Sequence, residues 1–275
     1  MIPFDKEEAM RSGVYISGTT GTGKSDIAMY QAEELMKEGI IVIVFDPTQD
    51  WQNRSNIPSY TVTQTLLGFE RNIIYDISHL TNTQQQELVE WFCKQLILYQ
   101  ASLPQEKRKP HFIIFEEAHT YFPEGCMRAK RYQNTVRMMT QGRNYGIRFA
   151  CITQFASLID KNAMRYMKQR YIGYTDEPND VEYILKFFPK QFREQAEKWL
   201  RKLEAGQFIY KCGDKYDQIQ IQSYKSETKP QQIIPSKIDP PEPPQKQNGS
   251  AILYLIIALL FVVAIIVGFG TRPSG

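Results

Sequence analysis

The sequence predicts a doubly wound α/β domain: a mainly parallel central sheet flanked by helices, followed by a C-terminal transmembrane helix. Three observations predict it. Short apolar runs alternate with helical patterns through residues 1–224, as parallel strands and their crossover helices do. A glycine-rich turn at 18–25 stands between the first such run and the first helical pattern. A continuous apolar run at 251–270 is set apart by a proline-rich stretch.

Strands are expected at 13–17, 40–45, 72–76, 111–115, 147–153, 170–174, 207–212 and 218–223. Several are unbroken apolar runs, the pattern of strands buried on both faces of a parallel sheet. Helices are expected at 24–37, 83–101, 127–142, 160–169, 180–187 and 191–203. Gly39 stops the first of them at the usual C′ position. Ligands of such a sheet bind at the carboxyl ends of its strands.

Residues 225–250 hold Pro230, Pro235, Pro240, Pro241, Pro243 and Pro244 among Gln, Lys and Ser. That composition predicts an extended, disordered linker. The run at 251–270 just spans a hydrocarbon core of about 30 Å, so it is read as a tail anchor. Lys237 and Lys246 on its near side agree with that side being cytoplasmic. The acidic start (Asp5, Glu7 and Glu8) argues against a secretion signal. Cys93, Cys126, Cys151 and Cys212 form no Cys-x-x-Cys pair and stand at no metal-ligand spacing with histidine. They read as reduced structural thiols. A net charge of +3 over 275 residues names no partner.

The chemistry is concentrated in two motifs. Gly18, Thr19, Thr20, Gly21, Thr22, Gly23, Lys24 and Ser25 form Gly-x-x-x-x-Gly-Lys-Ser between a strand and a helix. Glycines let successive backbone N–H groups curl toward phosphate oxygens, and the helix N-terminus adds partial positive charge. Lys24 is expected to reach the β- and γ-phosphates of ATP, and Ser25 to ligate Mg²⁺. The second motif is a strand, 112–115, ending in Glu116 and Glu117. One acid is expected to steer the Mg²⁺ shell (Glu116), the next to act as base toward the attacking water (Glu117). The first acid is usually Asp; Glu is one methylene longer, so its contact with the ion can run through water. His119 reads as a surface residue or a support for the acids. Gln154 ends the next strand, where an amide could orient water or sense the γ-phosphate. Asp46 is similarly placed, or builds a simple turn with Pro47.

A basic band lies between Gly125 and Thr175: Arg128, Lys130, Arg131, Arg137, Arg143, Arg148, Lys161, Arg165, Lys168 and Arg170, opposed by Asp160 alone. Such a band suits nucleic-acid phosphates, an arginine acting on a neighbouring subunit's γ-phosphate, or a solvated face. Arg143, in a loop directly before a core strand, is the candidate for the second role.

In order, the motifs at 18–25, 44–47, 115–119, 142–146, 152–154 and 203–207 resemble the HerA/FtsK superfamily of DNA-pumping ATPases. The resemblance implies a RecA-like core and a homo-oligomeric ring, usually hexameric. It implies movement of double-stranded DNA through the pore, with Gln154 as γ-phosphate sensor and Arg143 as the arginine supplied between subunits. The cradle begins at residue 18, without the N-terminal barrel of cellular HerA. This minimal core resembles the genome-packaging ATPases of membrane-containing icosahedral viruses. Capsid-vertex or membrane proteins are then expected partners, and a virion internal membrane joins the cytoplasmic face of a cell membrane as an expected location. A Zot-like export ATPase, a plasmid DNA-transfer ATPase and a non-enzymatic nucleotide switch are the competing readings.

Overall fold

The computed structural model describes residues 2–62 and 68–224. Among them a nine-stranded sheet has the order β3-β4-β2-β5-β6-β1-β7-β8-β9. The strands are β1 (Val14–Ser17), β2 (Ile41–Asp46), β3 (Ser59–Thr61), β4 (Ile73–Asp76), β5 (His111–Phe115), β6 (Ile147–Thr153), β7 (Gln169–Ile172), β8 (Gln207–Cys212) and β9 (Lys215–Gln220). All pairings from β3 to β7 are parallel. Only β8 is reversed, antiparallel both to β7 and to β9, which it joins through Gly213 and Asp214.

The apolar runs are strands because both faces of the sheet are covered. Every residue of β1, β2, β4, β5 and β6 is buried. Alternation along each strand then feeds two cores. On one face Tyr15, Phe45, Phe115 and Phe149 pack with Phe92 and Phe122. On the other, Ile16, Val42, Val44, Ile114 and Ile152 pack with Ile27, Ala28 and Trp51.

Helix α1 spans Lys6–Ser12, α2 Lys24–Lys37, α3 Asn82–Ser102, α4 Gln133–Gln141, α5 Pro178–Leu185 and α6 Arg193–Leu200. Sequence reading passed over α1, although Asp5 caps it by accepting from the Glu8 backbone N–H and Gly13 ends it at φ +77°; the acidic start drew attention only as a non-signal. It also passed over the three-residue β3. The bounds of α3 are set by a capping box in which Thr81 and Gln84 satisfy each other's backbone N–H.

Two expected helices are corrected. The stretch 127–142 is helical only in α4, after two short 3-10 turns. Ala129, at φ −93° and ψ 124°, is extended and interrupts it. The stretch 160–169 reduces to one 3-10 turn, Ala163–Tyr166. There Asp160 accepts from the Asn162 and Gly125 N–H groups, while Arg170 takes the carbonyls of Met164 and Met167. Buried Ala163, Met164 and Met167 plug the core, and their spacing imitated a helix face. The expected linker (225–250) and membrane span (251–270) lie outside the described residues. Among the described residues no helix is long and apolar enough to cross a membrane.

Candidate active site

The cradle hangs on β1. Its loop is held from both sides: the Thr19 N–H donates to the Tyr174 carbonyl at 2.9 Å, and the Thr22 carbonyl accepts from the Gly206 N–H at 3.0 Å. The Thr22 hydroxyl closes the turn on the Thr19 carbonyl at 2.8 Å. Gly23 caps α2 in the left-handed region at φ +99°, and a Cβ there would stand 2.9 Å from Ile221 Cδ1. Only glycine fits that position. Lys24, the first residue of α2, is buried and donates to the Thr19 carbonyl at 3.0 Å. Burial lowers its pKa, against the opposing pull of Glu116, Glu117 and Asp50. Ser25 follows in the same first turn, half-buried.

Sheet order places the acids. β6 lies between β1 and β5, so its carboxyl end separates the cradle from the acids by one strand. Gln154, just past β6, fills that gap. Its carbonyl accepts from the Thr20 hydroxyl at 2.9 Å, and its amide N–H donates to Glu117 Oε1 at 2.8 Å. The phosphate loop, the sensor candidate and the base candidate thus form one hydrogen-bonded line. Glu117 is held at φ 49°, ψ 48°, left-handed for a residue with a Cβ. Such a backbone stores on the order of 1–3 kcal/mol and concentrates at functional sites. Glu117 Oε2 has no solvent contact and no hydrogen-bond donor among the described residues. His119 Nδ1 stands 3.3 Å from it and 3.2 Å from the Thr153 hydroxyl. Burial lowers the His119 pKa, against the opposing pull of Glu117. His119 is thus packed against Glu117 and Thr153 and only partly exposed.

Glu116 is buried, and its Oε1 accepts from the Trp51 indole N–H at 2.8 Å. Burial first, then the neighbouring Asp46 and Glu117, push its pKa up to about 7. Asp46 is a turn builder. One oxygen accepts from the Thr48 N–H and hydroxyl, the other from the Trp51 N–H. Sequence reading missed Trp51. It also missed the ion pairs of Arg54 with Asp26 at 2.6 Å and Asp50 at 2.8 Å. Arg54 follows no motif, and the spacing of neither residue marks it.

The donor set fits Mg²⁺. Among the described residues no group of three or more His, Cys, Asp or Glu could hold an ion. Mg²⁺ at phosphates needs only one or two protein oxygens beside phosphate oxygens and water. Ser25 and Glu116 supply a hydroxyl and a carboxylate, and a buried acid crowded by two others gains from a dication.

Arg143 is not brought to this cradle. It is exposed on the 3-10 turn Gly142–Tyr145, at the amino end of β6. The seven residues of β6 put roughly 23 Å of strand between it and Gln154. Two members of the basic band are structural. Arg148 is buried, donates to the Arg11 carbonyl, and is pushed down to about 10 by burial. Arg170 lies 4.3 Å over the Phe187 ring. It also lines a cavity of about 520 Å³ with the exposed Lys161 and Arg165, and with Lys186 and Glu124.

Against known families, residues 1–240 match the model of the helicase HerA central domain. The chain belongs to the HerA family of P-loop ATPases. This HerA-family chain is therefore a nucleotide-hydrolysing enzyme. No curated protein sequence matches it. Solved structures share its fold at low identity. The genome packaging NTPase B204 from Sulfolobus turreted icosahedral virus 2, in complex with ATP-gammaS, is 17% identical with a TM-score of 0.55. That match covers 76% of this chain and 95% of B204. VirB4 of Thermoanaerobacter pseudethanolicus is 12% identical, with a TM-score of 0.55 over 81% of this chain and 91% of VirB4. The bacterial conjugative coupling protein TrwBdeltaN70 is 9% identical, with a TM-score of 0.59 over 82% and 87%.

Proposed function

We propose that this ATPase is the motor subunit of a ring that moves double-stranded DNA, of the genome-packaging kind, anchored to a membrane by residues 251–270. The observation that carries the reading is a continuity. The segment that leaves Gln154 at the γ-phosphate end of the site carries Lys161 and Arg165 into the basic cavity seven to eleven residues later. A cationic wall on the same segment as the sensor suits a duplex backbone gripped and released with the nucleotide cycle.

In this reading the cradle N–H groups and Lys24 bind the β- and γ-phosphates. Ser25 and Glu116 would hold Mg²⁺, which would supply positive charge to the phosphate oxygens. Glu117 accepts a proton from the attacking water, and Gln154 keeps that carboxylate in line with the loop. Arg143, too far from its own cradle, is supplied to the γ-phosphate of the next subunit. The fold shared with B204, whose printed description is a genome packaging NTPase, supports the packaging form. The fold shared with TrwBdeltaN70, whose printed description is a bacterial conjugative coupling protein, supports a second form, a plasmid DNA-transfer ATPase. The neighbouring genes discriminate the two: finding one for a double jelly-roll capsid protein would favour the first.

The test is ATP hydrolysis by the full chain with and without duplex DNA. Stimulation by duplex that weakens steeply with added salt is expected. Absence of DNA binding at low salt refutes the proposal.

A further inference from the structure

We infer that Trp51 is a positioning residue for the magnesium-facing acid, its indole N–H fixing the extra torsion that Glu116 has over the Asp usual at that place. The inference rests on the reading that Glu116 faces the ion. Glu carries one more rotatable bond than Asp, and each added torsion multiplies the staggered positions its carboxylate can take. A site that needs the carboxylate in one place must remove that freedom.

Trp51 is built to do so. It is fully buried, packed in the core on the α2 side of the sheet. Its backbone is tied on both sides: the N–H donates to Asp46 Oδ2 at 2.9 Å, and the carbonyl accepts from the Ser55 N–H at 2.9 Å. The indole nitrogen is a donor with no acceptor capacity, so in that pocket it selects a carboxylate oxygen. Its bond to Glu116 Oε1 is 2.8 Å long and spans 65 residues of sequence. The bond engages Oε1 alone. Asp46, where a second acid might be sought, is spent on holding Trp51 itself. The groups that orient a metal ligand commonly set metal affinity by 10- to 100-fold.

The experiment measures binding of a fluorescent, non-hydrolysable ATP analogue to the full chain, once in EDTA and once across a Mg²⁺ titration. Trp51→Phe keeps the ring and removes the donor. It is expected to raise the Mg²⁺ concentration for half-maximal binding by about 10-fold, with affinity in EDTA unchanged. In a Glu116→Asp background, which lacks the extra torsion, Trp51→Phe is expected to shift that midpoint far less. An unchanged midpoint, an equal shift in both backgrounds, or an equal loss of affinity in EDTA overturns the inference. A second measurement leaves Trp51 in place. With Trp91 and Trp199 changed to Phe, emission from Trp51 is expected to change when Mg²⁺ is added to the analogue-bound protein, and a silent Trp51 counts against the clamp. Glu116→Gln separates the premise: if it leaves the Mg²⁺ midpoint where it was, the reading of Glu116 fails, whatever Trp51 does.

Discussion

In the proposed mechanism Glu117 carries the base role. Its backbone is strained, one oxygen is held by Gln154, and the other has no donor among the described residues. Glu117→Gln keeps the shape and removes the proton acceptor. It is expected to lower kcat by about 10²–10⁴-fold while nucleotide affinity holds, as read by steady-state hydrolysis beside equilibrium binding. His111 makes a different prediction. Its Nε2 stands 2.6 Å from the Phe69 carbonyl, its Nδ1 lies between the Gln100 amide nitrogen and the Lys109 carbonyl, and burial lowers its pKa against the pull of those carbonyls. The unfolded chain takes up a proton near pH 6.5 that the folded chain refuses. Stability from His111 is thus complete above about pH 6.5 and lost as pH falls below it. Glu116, raised to about 7, acts with the opposite sign, so each effect is read from its own variant. Urea midpoints at pH 7.5 and 5.5 are expected to differ less in His111→Gln than in the parent.

These residues also mark what was legible. The cradle and both acids were readable because each motif is contiguous and sits at a strand end. Trp51 was not, since its partner lies 65 residues away and only folding joins them. His119 stays between a surface residue and a support for the acids in sequence, because its neighbour Thr153 belongs to another strand.

At the scale of elements, burial decided what could be read. β1, β2, β4, β5 and β6 announced themselves because both faces are covered and their runs are apolar throughout. α4 and the turn at Ala163–Tyr166 were overdrawn, because buried methionines at helical spacing look alike in a helix and in a 3-10 plug. The strand order was not legible, yet it arranges the site: with β6 between β1 and β5, Gln154 bridges loop and acid. The cradle depends equally on the chain returning past β9, where Ile221 packs against Gly23. Gly23→Ala meets both the positive φ and that contact. It is expected to destabilise the fold by about 1–3 kcal/mol and to weaken nucleotide binding, as seen in thermal melts with and without ATP.

For the whole molecule, the position of Arg143 is the informative fact. An exposed arginine at the far end of β6 serves no nucleotide of its own subunit. If it serves the next one, Arg143→Ala and Glu117→Gln damage opposite sides of one shared site. Each variant alone is expected to be inactive, and mixing them is expected to restore part of the hydrolysis, because some interfaces then pair an intact acid with an intact arginine. Mixtures as inactive as their parts contradict a shared site. The proposed ring and DNA partner are legible in no single residue; both rest on the order of motifs, joined by the basic cavity that Lys161 and Arg165 line on the segment after Gln154.

Movement along DNA is the central claim, and displacement of a third strand from a triplex measures it directly. With ATP, the full chain is expected to release the third strand after a lag that lengthens in proportion to the duplex leading to it, and Glu117→Gln is expected to release none. Release with a lag independent of duplex length, or no release by a preparation that hydrolyses ATP, contradicts the account.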